Sequence, residues 1–244
     1  MEYAEHVAAV EREIGAFADA LAAGPLDAKV PTCPAWSVAD LAKHVGEFTG
    51  FWTHVLCEGT GHPKTPFPDM PLSEATGSWF AELGGHLVEQ LRQTSPDQTV
   101  WTWHPDRRTA AFAARRCANE LAVHRVDVEG ARGAPNPIEP CLAVDGIDEI
   151  FMMIEAFAAR GEDVGRGSGE TMHLHGTDRE GEWLVRLTPT GLEVFPGHAK
   201  GDLALRGAVS DLELILYERP PIGAVERFGD DTVLQAWYRA FRFG

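Results

Sequence analysis

The sequence predicts an α+β protein of two domains: a four-helix bundle followed by a smaller α+β domain built on an antiparallel sheet. Three observations carry this reading. Apolar residues recur at spacings of three and four through residues 3–129, the period of an amphipathic helix. After residue 170 they give way to short alternating runs bounded by Gly, Pro or Asp, the period of a strand. Between them, residues 132–145 hold a Gly- and Pro-punctuated stretch, which sets domains of 1–135 and 136–244 within a length that admits two modest domains.

Taken in order, Val7, Val10, Ile14, Phe17 and Leu21 form one face of a first helix, stopped by Gly24-Pro25. VPTCPAWS is extended or turning, because residues before proline are held out of the helical region. Ser37 with Asp40 reads as a capping box, opening a second helix to about Cys57 with Leu41, His44, Val45, Phe48 and Trp52 on its inner face. A Gly/Pro-rich loop spans Gly59 to Pro71. Residues 72–94 form a third helix with Trp79, Leu83, Leu87 and Leu91 in register. TVWTWHPDRR is an irregular linker, and a fourth helix runs from Thr109 to Glu129 before Gly130, Gly133 and Pro135 end it. Four helices with one apolar stripe each make a bundle the economical solution.

In the second domain, residues 141–159 are one more helix, expected to pack on the bundle, and Gly161 to Gly169 is a break. TMHLHGT, EWLVRLT, LEVFP and DLALRG are the strands, with helices at Ser210–Tyr217, capped by Ser210, and Asp231–Phe241.

Composition removes several function classes. A formal charge of −16 with no compact Lys/Arg stripe opposes binding to nucleic acid and to anionic membrane surfaces. No apolar run approaches the roughly 20 residues that span a bilayer, and the acidic, amphipathic start MEYAEHVAAVEREIGAF is unlike a signal peptide. The expected address is the cytoplasm and the default state a monomer. Cys33, Cys57, Cys117 and Cys141 are scattered without a CxxC pair, which predicts reduced, mostly buried thiols. Arg far outnumbers Lys, and Ala and Gly are abundant, as in a high-GC genome.

Glu120 and His124 lie four apart on a helix and so share a face, while His44 sits on the inner face of the second helix. Facing helices of a bundle can bring such groups onto one metal. Three N/O ligands leave a fourth position for water or a soft ligand, the pattern of a catalytic zinc site. Spacing alone reads more often as an exposed pair or a hydrogen-bonded core histidine.

The surrounding motifs add more. PTCPAWSVADLAKHV, then RRCANELAVHRVD, LAVDGIDEIF, MHLHGTD, GEWLVRLTPTGLEV, HAKGDLALRGAVSDLELILYER and GDDTVLQAWYRAF follow one another along essentially the whole chain. In that order they resemble the mycothiol-dependent maleylpyruvate isomerase family, part of the wider DinB-like group of metal-binding helical bundles. The resemblance implies a C-terminal domain like that of sterol carrier proteins. It also implies a zinc, or another divalent metal, held by His44, Glu120 and His124. It names mycothiol, the small thiol of actinobacteria, as cosubstrate. The sequence departs from the family pattern at Asn119, where many relatives carry His, which leaves the three ligands intact but bears on substrate preference.

A thiol on the open position of a zinc loses its proton near neutral pH. The thiolate then serves either cis–trans isomerisation of an unsaturated acid or S-transfer to a small electrophile. Arg206 is the best candidate to clamp a substrate carboxylate, with Arg107 and Arg108 behind it; a surface ion pair is the plainer reading of each. Asp127 is placed to orient a ligand His, or is a helix-surface carboxylate. Trp101 and Trp103 precede the metal helix and are candidates to shape the thiol pocket, although such tryptophans, like Trp36, more often belong to a core. His173 and His175 alternate on one strand face and could hold metal, but read rather as lining the domain interface. GRGSGE lacks the strand-to-helix setting of a phosphate loop, and no GxSxG elbow occurs. Two rival readings stand beside the enzyme: a small-molecule or lipid-binding protein with a structural metal, and a thiol-independent metalloenzyme of specialised metabolism.

Overall fold

The computed structural model describes residues 1–62, 69–161 and 167–241, so parts of the loop at Gly59–Pro71 and of the break at Gly161–Gly169 lie outside the described residues. The chain forms two compact units, Met1–Asn136 and Pro137–Gly244. Among the described residues no helix is long and apolar enough to cross a membrane.

The first unit holds α1 (Tyr3–Ala22), the short strands β1 (Lys29–Val30) and β2 (Cys33–Ser37), then α2 (Val38–Glu58), α3 (Thr76–Gln93) and α4 (Ala110–Ala131). On α1 the five periodic apolar residues are all buried, and each such side chain withdrawn from water contributes roughly 1.5–3 kcal/mol. The Arg132 guanidinium reaches the carbonyls of Ala20 (3.0 Å) and Gly24 (3.1 Å), satisfying groups that the end of α1 leaves without helical partners. VPTCPAWS forms the β1–β2 pair. The Ser37–Asp40 box closes reciprocally: Asp40 N–H donates to Ser37 Oγ (3.2 Å) and Ser37 N–H to Asp40 Oδ2 (2.8 Å). Gly59, at φ +70°, ends α2 in the left-handed conformation glycine adopts without strain. The third helix begins later than its periodicity suggests, and Phe80, Gly84, Leu87 and Leu91 form its buried line, with Trp79 and Leu83 at the flanks. Gly84 is required there, because a Cβ would lie 2.4 Å from Ile14 Cγ2 of α1.

The helix α4 corrects the picture of one stripe per helix. It is buried nearly all round, packing on α1 and α2, and its buried set includes Arg116, Asn119, His124, Arg125 and Asp127. Charged residues spread around a helix erase an apolar stripe in the sequence; here they are buried because they pair with one another and with neighbouring helices. The thiol expectation also needs correction: none of the four cysteines is in a disulfide, but only Cys117 is buried and Cys57 is exposed, near the C-terminal end of α2.

The second unit holds α5 (Pro140–Ala159), β3 (Thr171–Gly176), β4 (Glu182–Thr188), β5 (Gly191–Pro196), β6 (Leu203–Gly207), α6 (Val209–Leu216), β7 (Glu226–Gly229) and α7 (Thr232–Ala240). The sheet order is β5-β4-β3-β6-β7. Three pairings are antiparallel as the alternation suggested, but β3 and β6 run parallel, so the sheet is mixed. Side-chain alternation reports which face is buried and is blind to strand direction, which is why the sequence could not distinguish the two. Met172, Leu174, Trp183, Val185, Leu187, Leu203 and Leu205 form the buried face, and α5, α6 and α7 all pack on strands of this sheet. Trp183 Nε1 donates to Asp148 Oδ1 of α5 (2.8 Å). The edge strand β7 escaped the sequence reading because all four of its residues are exposed and no alternation marks it. Ser210 is not the cap of α6. Ala208 holds that position, Val209 N–H donates to Asp178 Oδ1 (2.9 Å), and the buried Ser210 Oγ instead accepts from Ile138 N–H (2.8 Å).

Candidate metal centre

The capped start of α2 fixes the phase of that helix, burying Leu41 and Val45 and leaving His44 at the edge of the inner face. On α4, Arg116, Glu120 and His124 follow at successive intervals of four and stack along one face. The two faces meet. Glu120 Oε1 lies 3.4 Å from His44 Nε2 and 3.2 Å from His124 Nε2, with the two imidazole centroids 5.1 Å apart and nearly perpendicular. One ligand atom from each of the three residues lies within 4.8 Å of the others.

Supporting contacts aim these donors. His124 Nδ1 is 2.9 Å from Asp127 Oδ2, and the other oxygen of that buried carboxylate accepts from Thr32 Oγ1 at 2.6 Å. With Nδ1 engaged as the donor, Nε2 presents its lone pair towards Glu120 and His44. Arg116 donates to Glu120 Oε2 and rests against the Phe48 ring, leaving Oε1 facing the histidines. The Trp36 ring packs 5.1 Å from His44. Side-chain exposures of 42%, 19% and 10% for His44, Glu120 and His124 open the cluster to solvent on the His44 side.

The donor chemistry fits a divalent metal of the zinc class. Zinc bonds of ~2.0–2.1 Å in tetrahedral array separate neighbouring ligand atoms by roughly 3.4 Å, and the two donor separations about Glu120 Oε1 are 3.4 and 3.2 Å. Burial, and then the neighbouring His124, push His44 down to about 4, so its imidazole is neutral, the form that ligates. An unfolded chain takes up this proton near pH 6.5, the folded one only near 4, so protonation favours unfolding across that interval. In chelator, the melting temperature is expected to fall as pH drops from 6.5 to 4, with a shallower fall in His44→Gln. Equal slopes in melts stepped through that range would count against it.

The other sequence candidates lie elsewhere. Trp101 stands edge-on to Phe51 (5.5 Å), and Trp103 packs on Phe112 (5.1 Å) and His104 (5.9 Å). Arg107 and Arg108 are exposed. Arg206 belongs to the second unit, where its exposed guanidinium pairs with Glu226 at 2.5 Å. His173 and His175 share one face of that unit's sheet with Glu182 and His198. Of the contributors to the first cluster, the sequence does not single out Arg116 or Thr32, and it reads Trp36 as a core residue. Arg116 was legible in principle, as the residue one turn before Glu120 on the ligand face. The other two reach the site through the β1–β2 segment, whose path no periodicity records.

Helices that carry a three-donor cluster, followed by a mixed-sheet unit, define the class: a helical bundle with a His/Glu cluster and an α+β partner unit. Residues 7–129 match the family model described as the mycothiol maleylpyruvate isomerase N-terminal domain, and the chain belongs to that family. A crystal structure described as the mycothiol-dependent maleylpyruvate isomerase aligns with a TM-score of 0.60 and 16% identity over 93% of each chain. A structure of a single-substitution mutant of that enzyme aligns with a TM-score of 0.60 and 15% identity over the same shares. At that identity the likeness is one of fold. No curated protein matches the chain.

Proposed function

We propose that this protein is a zinc-dependent enzyme that uses mycothiol to isomerise a small cis-unsaturated acid, with His44, Glu120 and His124 as the metal ligands. The observation that carries this reading is the convergence of the three donors at metal-ligand separations, with the cluster open on one side. Family membership supports mycothiol as the thiol.

A bound zinc would supply the positive charge that holds a thiol as its thiolate near neutral pH. The chain's own residues do the rest. Asp127 keeps His124 in one tautomer and one orientation, and Arg116 holds the Glu120 carboxylate from the side facing away from the histidines. Trp36 and Phe48 wall the cluster with apolar surface beside His44 and Arg116, which limits water at the sulfur. In the reaction the thiolate sulfur adds to the double bond, the resulting single bond rotates, and elimination returns the thiolate and the trans product.

The test is turnover of maleylpyruvate by the zinc-loaded protein with and without mycothiol. Mycothiol-dependent formation of the trans isomer is expected. Conjugate formation without isomerisation would move the assignment to S-transfer, and bound zinc with no thiol-dependent turnover of any electrophile would overturn it. Asp127→Ala is expected to weaken zinc binding about 10–100-fold, the usual cost of removing a partner behind a ligand histidine. Competition against a chelator of known affinity measures this, with circular dichroism to confirm folding; unchanged affinity would remove Asp127 from the site.

A further inference from the structure

The second unit carries a cluster that the proposed reaction does not use. Pairing in the sheet sets His175 of β3 directly opposite Glu182 of β4, with His173 two residues away on the same face. The fourth member, His198, arrives by topology. β5 runs in the same sense as β3 and β6, so the segment 197–202 that joins β5 to β6 cannot turn back as a hairpin and must cross the sheet past β4 and β3. Gly197 N–H donates to the Glu182 carbonyl (3.0 Å), which pins the start of that crossing and leaves the next residue, His198, over the Glu182 side chain.

Three imidazoles therefore converge on one atom. Glu182 Oε1 lies 3.1 Å from His173 Nε2, 2.8 Å from His175 Nδ1 and 2.7 Å from His198 Nδ1. A carboxylate oxygen offers about two lone-pair sites, so three ring N–H groups on one oxygen exceed its capacity as an acceptor. Three protonated imidazoles packed with centroids 5.0–6.5 Å apart would also repel one another. Four-coordinate metal binding uses the same atoms without either conflict, because each neutral ring turns a lone pair inward. The required ligand separation of roughly 3.4 Å is a few tenths of an ångström wider than the distances present. The exposed His198 ring can give that space at little cost.

We infer that His173, His175, His198 and Glu182 form a second, four-coordinate zinc site that ties the 197–202 crossover to strands β3 and β4. Three imidazoles and a carboxylate are zinc-class donors, and four protein ligands close the coordination shell, as in structural sites. The site borders an open cleft of about 360 Å³ lined by Lys200, Asp202 and Phe228 among others, so the metal braces one wall of that cleft.

Zinc binding to the metal-free, full-length protein tests this, counted by mass spectrometry after gel filtration. Wild type is expected to hold two zinc ions per chain and His124→Ala one. In the His124→Ala background, His198→Ala is expected to weaken the remaining ion more than about 100-fold, beyond the loss from a partner behind a ligand. Zinc should also raise the melting temperature of His124→Ala but not of the double variant. His198 is exposed, so its removal leaves the core intact, and circular dichroism of each variant verifies this. One ion per chain, lost in His124→Ala and retained in His198→Ala, would overturn the second site and leave the first standing. One ion lost in His198→Ala and retained in His124→Ala would do the reverse.

Discussion

Glu120→Gln is expected to strip the metal from the bundle and to lower mycothiol-dependent turnover about a thousandfold. Both histidines approach the same oxygen of Glu120, at 3.4 and 3.2 Å, so this carboxylate is the hub of the cluster. An amide of the same shape keeps the packing but presents a neutral group, and its NH2 face repels a cation. Metal activation is worth several kcal/mol of transition-state stabilisation, and about 4 kcal/mol corresponds to a factor of 10³. Glutamine is a better probe than alanine, since Arg116 is only 7% exposed and alanine would take away this ion-pair partner altogether. Zinc content and steady-state rates should fall together. A variant that kept its zinc while losing activity would make Glu120 a catalytic group and not a ligand.

The second large effect concerns stability. Arg125 on α4 donates through Nε to Glu13 of α1 (2.9 Å) and through Nη1 to Glu129 (2.9 Å) and to the Asn136 carbonyl (2.6 Å). Glu13 and Arg125 are 2% and 4% exposed. The carboxylates hold the guanidinium charged against its burial. Arg125→Leu leaves the buried Glu13 carboxylate with the half-exposed Arg12 (3.0 Å) as its remaining cation, so the loss is expected at the lower end of the about 3–5 kcal/mol that removing one partner of a buried pair costs. Denaturant unfolding of the metal-free protein is expected to show this loss in the transition of the first unit. Replacing Glu13 and Arg125 together by apolar residues should recover part of it, because the buried Glu13 charge is then removed with its partner, while Glu129 still loses its cation. A loss below about 1 kcal/mol in Arg125→Leu would mean that Arg12 alone neutralises Glu13.

Much of this architecture is legible in the residues, and the parts that are not share a physical cause. The start of α2 could be read because Ser37 and Asp40 act within one turn, and the buried face of α1 because its period is local. The parallel pairing of β3 with β6 depends on segments 31 residues apart, as with Thr171 and Asp202, and nothing local encodes it. The same division runs through the sites. Glu120 and His124 share a helix face by arithmetic, whereas His44 meets them only through the packing of two helices, which the family resemblance indicated before any geometry did. The second histidine cluster was half visible: alternation put His173 and His175 together, but Glu182 needed the strand register and His198 the crossover.

The crossover also imposes an order of assembly. His173 and Glu182 are 9 residues apart, and Glu182 and His198 are 16 apart. The β3–β4 hairpin therefore closes with a small loop entropy, while β6 must return across it to reach the far side of β3. During synthesis the hairpin can form as soon as its residues emerge, and β7, which pairs only with β6, must wait for that strand. The long-range strand return, and not the formation of the helices, then carries the larger loop-closure cost on this unit's way to its native topology.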